Sequence, residues 1–305
     1  MHNVLSLDAL RALDAIDRKG SFAAAAEALY KVPSALSYTI AKLESDLGVA
    51  LFDRSKQRAL LTPAGQLLLE QGRELLHAAN QLQNAVKQLD TGWETELVIA
   101  KDSIMPSAPL LDVISRFLQL GKLTQIKMTE EVMAGGWEAL QTSRADIAVG
   151  LSGDVAKGQF NVVPLGYAEF VFAVAPHHQL AALDRIVSAD DVQQFTAVVV
   201  ADSALDAPKR SSGLFDSRQR LIVSNMAAKI DAQKQGLGIG FLPRHLISEQ
   251  LARGELIAKA CSIPREKVPL YLAWQKQNQG QALSWFSQQL AQINWPQVLQ
   301  PATEY

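Results

Sequence analysis

The pattern of apolar and polar residues predicts three short helices near the start of the chain. Over residues 5–18, apolar side chains return every three or four positions, and Ser6 precedes them as a cap. Alanines dominate residues 23–28, where small side chains favour a helix and let another helix approach closely. Tyr30-Lys31-Val32 then forms a tight turn, and Pro33 fits the first position of a third helix. Residues 21–44 are therefore predicted to form a helix-turn-helix.

The third helix has two different faces. Its core-facing positions recur at helical spacing and are Leu36, Ile40, Leu43 and Leu47. Its outward positions are small, polar or cationic: Ser34, Ser37, Tyr38, Ala41, Lys42 and Ser45. Such a face can enter the DNA major groove, where the predicted contacts are Ser34, Ser37, Tyr38 and Lys42. A helical hairpin with a solvated face is the alternative, and the pattern alone does not separate the two.

Residues 51–62 are predicted to form a wing, which is two short strands around a basic tip. The tip carries Arg54, Lys56 and Arg58, which would lie along phosphates or in the minor groove. Because cations and anions are otherwise balanced over residues 1–90, this edge supports only a few phosphate contacts per subunit. DNA binding of useful strength therefore implies a dimer.

From Pro63 to about residue 92 the pattern predicts one long helix that ends at Thr91-Gly92. One side of it is apolar, with Ala64, Leu67, Leu68, Leu75, Leu76, Ala79, Leu82, Val86 and Leu89. Since the small domain before it cannot cover so long a stripe, the helix is predicted to pair with its copy in a dimer. The alternative is a linker that lies on the neighbouring domain.

The remainder of the chain alternates strand and helix signals. Strands are predicted at residues 96–100, 125–129 and 146–150, with helices at 105–120 and 137–143 between them. A second series has strands at 170–175, 197–201, 220–223 and 238–243, and a helix at 227–235. Both series predict open, largely parallel sheets. The predicted class is thus α/β, with two lobes.

Two strands, at residues 162–167 and 268–274, would run between the lobes, and a helix at 280–294 would return to the first. The predicted domains are the winged helix-turn-helix at 1–62, the linker helix at 63–92 and an effector-binding domain at 93–305. Within the last, lobe I comprises residues 93–167 and 268–305, and lobe II comprises residues 168–267.

A cleft is predicted where the strands of both lobes end, because open α/β sheets bind ligands at the carboxyl ends of their strands. The residues at these ends are Lys101, Asp102, Ser103, Glu131, Val132, Met133, Leu151, Asp202, Ser203, Ser224 and Asn225. Helix N-termini near Ser107 and Asn225 would offer backbone N–H groups, so a small organic acid is the favoured ligand. The alternative for Ser103 and Ser224 is that they only cap helices.

Composition and chemistry narrow the class of protein. The net charge is −2 over 305 residues, Cys261 is the one cysteine, and no apolar segment reaches the length of a membrane span. No export signal opens the chain, so a cytoplasmic protein is expected. His177-His178 and Cys261 lack the partners of a metal or catalytic site, and no nucleophile elbow is present. Neither an enzyme nor a cofactor is therefore expected, and the remaining rival is a small-molecule binding protein without specific DNA recognition.

Several segments resemble the LysR-type transcriptional regulators, over essentially the full length of the chain. They are GSFAAAAEAL at residues 20–29, SALSYTIAKLESDLGVALFDRS at 34–55, LTPAG at 61–65, ADIAVG at 145–150, APHHQLA at 175–181 and GLGIGFLP at 236–243. The phrases LDAIDRKGSF, VPSALSY and GWET are closer still to the YhaJ-like subgroup. The resemblance implies a winged helix-turn-helix that binds double-stranded DNA, a linker-helix dimer and a periplasmic-binding-protein-like effector domain. It also implies assembly as a homotetramer.

Three positions depart from the family pattern. The family often opens the recognition helix with a hydroxyl residue and a glutamine, where this chain has Val32 and Pro33, so a weaker helix cap is expected. Tyr38 stands where an arginine is frequent, and an aromatic hydroxyl would replace one contact to a phosphate or base.

Overall fold

A computed structural model describes residues 4–53, 60–153, 158–211 and 217–300. The tip of the predicted wing, with Arg54, Lys56 and Arg58, lies outside the described residues, as does the side chain of Leu89. The chain divides into two compact units, residues 1–89 and 90–305. Within the described ranges, none of the helices combines the length and apolar character needed to cross a membrane.

The first unit contains the predicted helix-turn-helix. Its elements are α1 (Leu7–Lys19), α2 (Phe22–Ala28), α3 (Pro33–Leu47), β1 (Phe52–Asp53) and β2 (Leu60–Leu61), and α4 (Pro63–Thr91) follows. Local chemistry sets the starts of the first two helices: the Ser6 hydroxyl accepts the Ala9 N–H at 3.2 Å, and the Ser21 hydroxyl accepts the Ala24 N–H at 3.2 Å. The short strands β1 and β2 pair antiparallel, as expected for the base of a wing.

The core of this unit is apolar and joins all three helices to the start of α4. It includes Leu13, Ile16, Leu36, Ile40, Leu43 and Leu69. The prediction that Leu47 faces the core is wrong, because its side chain is 36% exposed. Leu47 lies in the last turn of α3, which ends at Gly48 in the left-handed conformation (φ 70°), and the chain turns away there without covering it.

The long helix α4 packs on α1 through one side near its N-terminal end, whereas much of its apolar stripe is exposed. Leu69 is buried in the core, and a side chain at Gly72 would press on Leu10 of α1. Arg73 also ties α4 to α1, through Asp14 at 2.7 Å and Asp17 at 2.9 Å. In contrast, four residues of the predicted apolar stripe are more than half exposed within this chain: Leu67, Leu75, Leu82 and Val86.

The first lobe of the second unit is built on a five-stranded sheet. Its strands are β3 (Glu96–Asp102), β4 (Gln125–Glu131), β5 (Ile147–Leu151), β6 (Phe160–Ala168) and β12 (Val268–Gln275), in the order β4-β3-β5-β12-β6. Its helices are α5 (Ala108–Leu118), α6 (Ala134–Gln141), α10 (Gln281–Ala291) and α11 (Trp295–Val298). β3 pairs parallel with β4 and β5, whereas β12 pairs antiparallel with β5 and β6. The sheet is therefore mixed.

The second lobe is less parallel than predicted. Its strands are β7 (Phe170–Val174), β8 (Thr196–Val200), β9 (Gln219–Val223), β10 (Gly240–Pro243) and β11 (Ile257–Lys259), and its helices are α7 (Ala189–Gln193), α8 (Met226–Lys234) and α9 (Ser248–Ala252). β7 pairs antiparallel with both β10 and β11, and only β8 and β9 form a parallel pair. The sequence pattern did not predict α7, α9, α11 or β11, because three to five residues are too few to show a periodicity.

Candidate nucleic-acid interface and effector cleft

The predicted reading positions on the outer face of α3 are exposed. Ser34, Ser37, Tyr38 and Lys42 are all exposed, and Tyr38 is 69% exposed. The Lys42 ammonium has no ion-pair or hydrogen-bond partner among the described residues, whereas Lys31 pairs with Asp8 at 3.7 Å. This face therefore presents hydroxyls, a phenol and an uncompensated positive charge to the outside.

Glu44 fixes α3 against the base of the wing, and the sequence pattern did not predict this role. Its Oε1 accepts the N–H of Leu51 at 2.8 Å and the N–H of Phe52 at 3.2 Å. The Thr62 hydroxyl donates to the Ala50 carbonyl at 2.7 Å, and a side chain on Gly65 would collide with the Leu51 carbonyl oxygen. These contacts fix β1 and the residues around it relative to α3.

The start of α3 has no side-chain cap, as its departure from the family pattern led us to expect. Val32 occupies the N-cap position without a side-chain hydrogen bond, and it is 62% exposed. The preceding turn contains Tyr30, which is 99% exposed and has a positive φ of 53°. Pro33 has no N–H, and the N–H groups of Ala35 and Leu36 donate to the Val32 carbonyl oxygen at 3.0 Å and 3.3 Å, so the backbone itself satisfies most of the first turn of α3.

In the second unit, the ends of β3 and β4 meet at a buried carboxyl group, Asp102. Its Oδ1 accepts the Ile104 N–H at 3.0 Å, and its Oδ2 accepts the Met133 N–H at 3.2 Å. Burial raises the pKa of Asp102 to about 7, because desolvation outweighs these two hydrogen bonds and the charge of Lys101. Met133 reaches this position with a strained backbone, at φ 52° and ψ −111°.

Glu131, at the end of β4, connects the two lobes. Its carboxylate accepts the Ser203 hydroxyl at 2.5 Å and pairs with Arg144 at 2.8 Å. The Ser203 hydroxyl also accepts the Val132 N–H at 2.9 Å. A side chain on Gly135 would collide with the Ser203 hydroxyl, so only glycine allows this approach.

Asp202 makes a second connection between the lobes. Its Oδ2 accepts the Ala134 N–H at 3.2 Å, from the first lobe, and the Arg210 N–H at 2.7 Å. Its Oδ1 accepts the Ala204 N–H at 2.9 Å. The predicted cleft is thus closed in this structure by direct hydrogen bonds.

The only predicted cation of the cleft is already neutralised. Lys101 is 5% exposed, and its ammonium donates to Glu130 at 3.0 Å and to the carbonyl oxygens of Met105 and Asp102 at 3.1 Å and 3.3 Å. Lys101 therefore positions the end of β3 and leaves little charge for a ligand.

Two groups near the cleft keep unused hydrogen-bonding capacity. The Ser103 hydroxyl is buried and has no hydrogen-bond partner among the described residues. Ser107 precedes α5 without a capping hydrogen bond from its side chain. The Ser103 hydroxyl therefore keeps a free donor, and the interpretation of Ser103 as a helix cap does not fit its position ahead of α5.

The hydrogen bonds and ion pairs of Asp102, Glu131, Asp202 and Ser203 form the polar network of the cleft. Three predicted cleft residues take no part in this network. Leu151 belongs to the apolar core beside α6, where a side chain on Gly136 would press on it. Ser224 is exposed, and Asn225 caps α8 by accepting the Ala228 N–H at 2.9 Å. Asn225 therefore occupies one of the N–H donors of the α8 N-terminus that were expected to face a ligand.

Glu138 contributes more contacts to this network than the predicted residues and was missed. Its carboxylate accepts the N–H groups of Leu205, Asp206 and Ala207 at 2.7–2.8 Å and pairs with Arg144 at 3.2 Å. These contacts hold the pKa of Glu138 below its usual value despite the desolvation that opposes them. One signal was available, since Glu138 is the lone acid in the apolar stretch AGGWEAL at residues 134–140.

The side chains of His178, Asp146 and Arg144 have structural partners. His178 Nδ1 accepts the Leu180 N–H at 3.1 Å. Asp146 accepts the Val98 N–H at 2.8 Å, and Arg144 pairs with Glu131 and Glu138. Within the described ranges, no group of His, Cys, Asp and Glu side chains is arranged to hold a metal.

A winged helix-turn-helix followed by a two-lobed α/β unit with a polar cleft defines a DNA-binding regulator with an effector-binding domain. Comparison with known families agrees with this class. Residues 7–66 match the family described as "Bacterial regulatory helix-turn-helix protein, lysR family", and residues 90–294 match the "LysR substrate binding domain". The chain belongs to the LysR family of transcriptional regulators.

Relatives with similar sequences are regulators of the same type. The chain is 41% identical to the "Uncharacterized HTH-type transcriptional regulator YeeY" of Escherichia coli K12, over 93% of this chain and 92% of that protein. It is 36% identical to the "Probable HTH-type transcriptional regulator YhaJ" of the same strain, over 95% and 97% of the two chains. The predicted likeness to the YhaJ-like subgroup is thereby confirmed.

Solved structures share the fold at low sequence identity. A full-length variant of AphB aligns over 95% of this chain and 99% of its own, with a TM-score of 0.60 and 16% identity. Full-length CbnR in complex with its target DNA aligns over 93% and 98% of the two chains, with a TM-score of 0.58 and 18% identity. At these identities the likeness supports the fold alone.

Proposed function

We propose that the outer face of α3 reads the DNA major groove through Ser34, Ser37, Tyr38 and Lys42. The observation that carries this proposal is the exposed, uncompensated Lys42 among exposed hydroxyls, on the helix whose opposite side is locked into the core. Arg54, Lys56 and Arg58 would hold phosphates or the minor groove beside it. CbnR, which shares the fold, is known in complex with its target DNA, and this supports DNA binding by the present chain.

Footprinting on the native chromosome, followed by binding assays on the sites found, tests the reading face. Replacing Ser37 with Ala or Tyr38 with Phe should cost about 1–3 kcal/mol at particular base pairs and little elsewhere. Thr39→Val is a matched control, because the Thr39 hydroxyl donates to the Ala35 carbonyl of its own helix at 2.9 Å. If Ser37→Ala and Tyr38→Phe bind every sequence as the unchanged protein does, α3 does not read DNA through this face.

We further propose that α4 pairs with its copy through Leu67, Leu75, Leu82 and Val86, whose exposure within one chain leaves an apolar stripe along the helix. Two such dimers would form a tetramer. Leu75→Glu would bury an unpaired charge and split the dimer, whereas Glu74→Gln, one residue away, should not. Sedimentation of both variants decides this, since an unchanged assembly in Leu75→Glu removes α4 from the interface. The domain boundaries at 1–62, 63–92 and 93–305 belong to the same proposal.

The ligand of the cleft is, in this proposal, a small organic acid or a similar molecule rich in acceptor oxygens. The observations behind this are the unpaired, buried Ser103 hydroxyl and, four residues later, Ser107, whose side chain makes no capping hydrogen bond to α5. Because Lys101 and Arg144 are already paired, recognition would come from neutral donors, and a protonated Asp102 could add one more. A ligand that binds one arrangement of the lobes better than another would shift that equilibrium.

Reporter induction and DNA affinity, measured in parallel, test the cleft. Ser103→Ala removes the unpaired hydroxyl and should abolish or weaken induction while DNA affinity stays unchanged. Thr124→Val is the matched control, because the Thr124 hydroxyl is also buried without a partner, at the opposite end of the sheet from Ser103. Normal induction in Ser103→Ala, or equal loss in Thr124→Val, would count against the site.

A function without specific DNA recognition is the second candidate, and the same footprinting experiment excludes or supports it. As a regulator the chain would act by binding alone, without catalysing a reaction, and it would work in the cytoplasm, where chromosomal DNA lies.

A further inference from the structure

The second lobe contains a pocket of about 400 Å³ that is separate from the cleft. Its floor is the face of the β10-β7-β11 sheet that carries Phe170, Phe172 and Phe241, of which Phe170 is half-buried, whereas Phe172 and Phe241 belong to the lobe core and are only 1% and 8% exposed. Phe172 lies between Phe241 on β10 and Lys259 on β11, because both pair with it across the sheet. The segment at residues 260–265 supplies further lining, and none of the lining residues belongs to the proposed cleft.

Charge in this pocket has one sign. The described residues that line it include Arg244, Lys259 and Arg265 and no Asp or Glu. The Arg265 guanidinium lies over the Phe170 ring, 4.7 Å from its centroid, and partial desolvation lowers its pKa. The nearby carboxylate of Glu169 is occupied by Lys267 at 3.5 Å. The pocket therefore combines an aromatic floor with cations that no lining acid neutralises.

The three cations of the lining differ in the hydrogen bonds that they already make within the protein. The Lys259 ammonium donates to the carbonyl oxygens of Ala181 and Leu183, so it is held in place. The guanidinium groups of Arg244 and Arg265 have no hydrogen-bond or ion-pair partner among the described residues. A planar guanidinium without a partner is suited to a carboxylate, which it can bind through two parallel hydrogen bonds.

A fourth cation increases the positive potential behind the pocket. Lys229 of α8 is 3% exposed, and in the described part of the chain its ammonium has no partner. It packs against β10 at Gly240, next to Phe241 of the floor. Burial and the charge of Arg265 lower the pKa of Lys229 to about 7, so an anion near Arg265 would relieve an existing repulsion.

We propose that this pocket is a second small-molecule site, for a carboxylate with an aromatic or apolar body, whose carboxylate is held by Arg244 and Arg265. The body lies against the half-buried Phe170 ring and the apolar atoms of Ile263 and Pro264, where ring contacts favour an aromatic group. Pockets of 300–1,000 Å³ are typical for small ligands, so about 400 Å³ suits one aromatic ring with a short acidic chain. The site is independent of the proposed cleft.

Cys261 makes the proposal testable at a single position. It lines the pocket, it is partly exposed, and it is the one cysteine of the 305-residue chain. Reaction of the full-length protein with 4,4′-dithiodipyridine therefore reports access to this pocket alone. We expect phenylacetate to slow the reaction about tenfold at ten times its Kd, because only the unliganded fraction reacts. Phenylacetamide, which has the same shape without the charge, should protect little.

Variants distinguish the pocket from the cleft. Arg265→Gln and Arg244→Gln should each weaken protection by phenylacetate about 10- to 100-fold, the size of a lost charge-assisted hydrogen bond. Arg265→Lys keeps the charge without the planar fork and should fall between. Arg253→Gln is the matched control, since Arg253 lies outside the pocket and pairs with Glu249 at 3.2 Å. Ser103→Ala should leave the protection unchanged.

Three results would overturn the proposal. The first is no protection by phenylacetate, and the second is equal protection by the amide. The third is protection that survives in both Arg265→Gln and Arg244→Gln but disappears in Ser103→Ala, which would place the ligand in the cleft.

Discussion

In the first unit the buried residues that the structure describes are all apolar, from Leu13 in α1 to Leu69 in α4, whereas the second unit buries Asp102, Glu131 and Glu138. The first unit keeps its charges on the surface, where Arg73 pairs with Asp14 and Lys42 stays unpaired. A reading surface needs exposed charge on a rigid support, and an apolar core supplies the support. A cleft that responds to a ligand needs polar groups whose hydrogen bonds can be exchanged for those of the ligand.

Burying carboxylates lowers the stability of the second unit. Each buried carboxylate loses its hydration, and only hydrogen bonds and ion pairs from distant parts of the chain offset that loss. The stability of the second unit should therefore depend more strongly on single charged residues and on pH than that of the first unit, where burial lowers the pKa of His77. Tryptophan fluorescence separates the units, since Trp93, Trp137, Trp274, Trp285 and Trp295 all lie within residues 90–305.

The largest expected effect comes from Glu138→Ala. This change leaves three N–H groups of residues 205–207 without their acceptor and Arg144 without one of its two carboxylates. We expect the free energy of unfolding of the second unit to fall by about 3–5 kcal/mol, measured by urea denaturation with tryptophan fluorescence. Glu249→Gln breaks the exposed pair with Arg253 and should change stability by less than about 1 kcal/mol. Equal effects of the two variants would remove the contrast between buried and exposed charge.

The role of Glu138 was not predicted because a sequence pattern reveals local contacts and does not reveal contacts between distant parts of the chain. Caps such as Ser6 and Ser21 act within three residues, and the strand ends that carry Asp102 and Glu131 follow from the order of elements. The partners of Glu138 lie 67–69 residues away, so no local pattern connects them. The same reason hid the lobe II pocket, whose lining comes from β7, β10 and β11, and β11 was itself too short to predict.

The second largest effect is a pH dependence of stability in the same unit. The folded pKa of Asp102 is raised to about 7, so between about pH 4 and pH 7 the folded state holds a proton that the unfolded state has lost. Stability should therefore fall as pH rises through this range, by roughly 2–4 kcal/mol from Asp102. The charges nearest to it are Lys101, which opposes this shift, and Glu130, which adds to it. Urea denaturation at each pH should show a flatter profile for Asp102→Asn.

Lys229 provides the control for this profile, because its shift has the opposite sign. Its folded pKa is lowered to about 7, so above pH 7 the unfolded state binds the extra proton and stability should rise with pH. Lys229→Met should remove that rise and leave the range from pH 4 to pH 7 as it was. If Asp102→Asn and Lys229→Met alter the same pH range, the assignment of the two buried groups is wrong.

A smaller effect, equal in both units, should follow from removing helix caps. The Ser21 hydroxyl caps α2 in the first unit, and the Ser188 hydroxyl caps α7 in the second, each by accepting an N–H at 3.2 Å. Ser21→Ala and Ser188→Ala should each cost about 1 kcal/mol locally, measured by amide hydrogen exchange of the helix concerned. A much larger cost in one unit would show that local chemistry, as well as buried charge, separates the two.

The smallest expected effect, Lys42→Gln, concerns binding and leaves the fold alone. Lys42 is exposed on α3 and lacks a partner among the described residues, so its loss breaks no internal contact. If its ammonium lies on a phosphate, the variant should bind all sequences more weakly by a similar factor. The slope of log K against log salt should then fall by about one for each subunit that contacts the DNA. Lys19→Gln, on another exposed cation of the same unit, should leave that slope unchanged, and unfolding of the second unit should be the same in both variants. A sequence-dependent loss in Lys42→Gln would instead assign Lys42 to a base edge, which would extend the reading face by one specific contact.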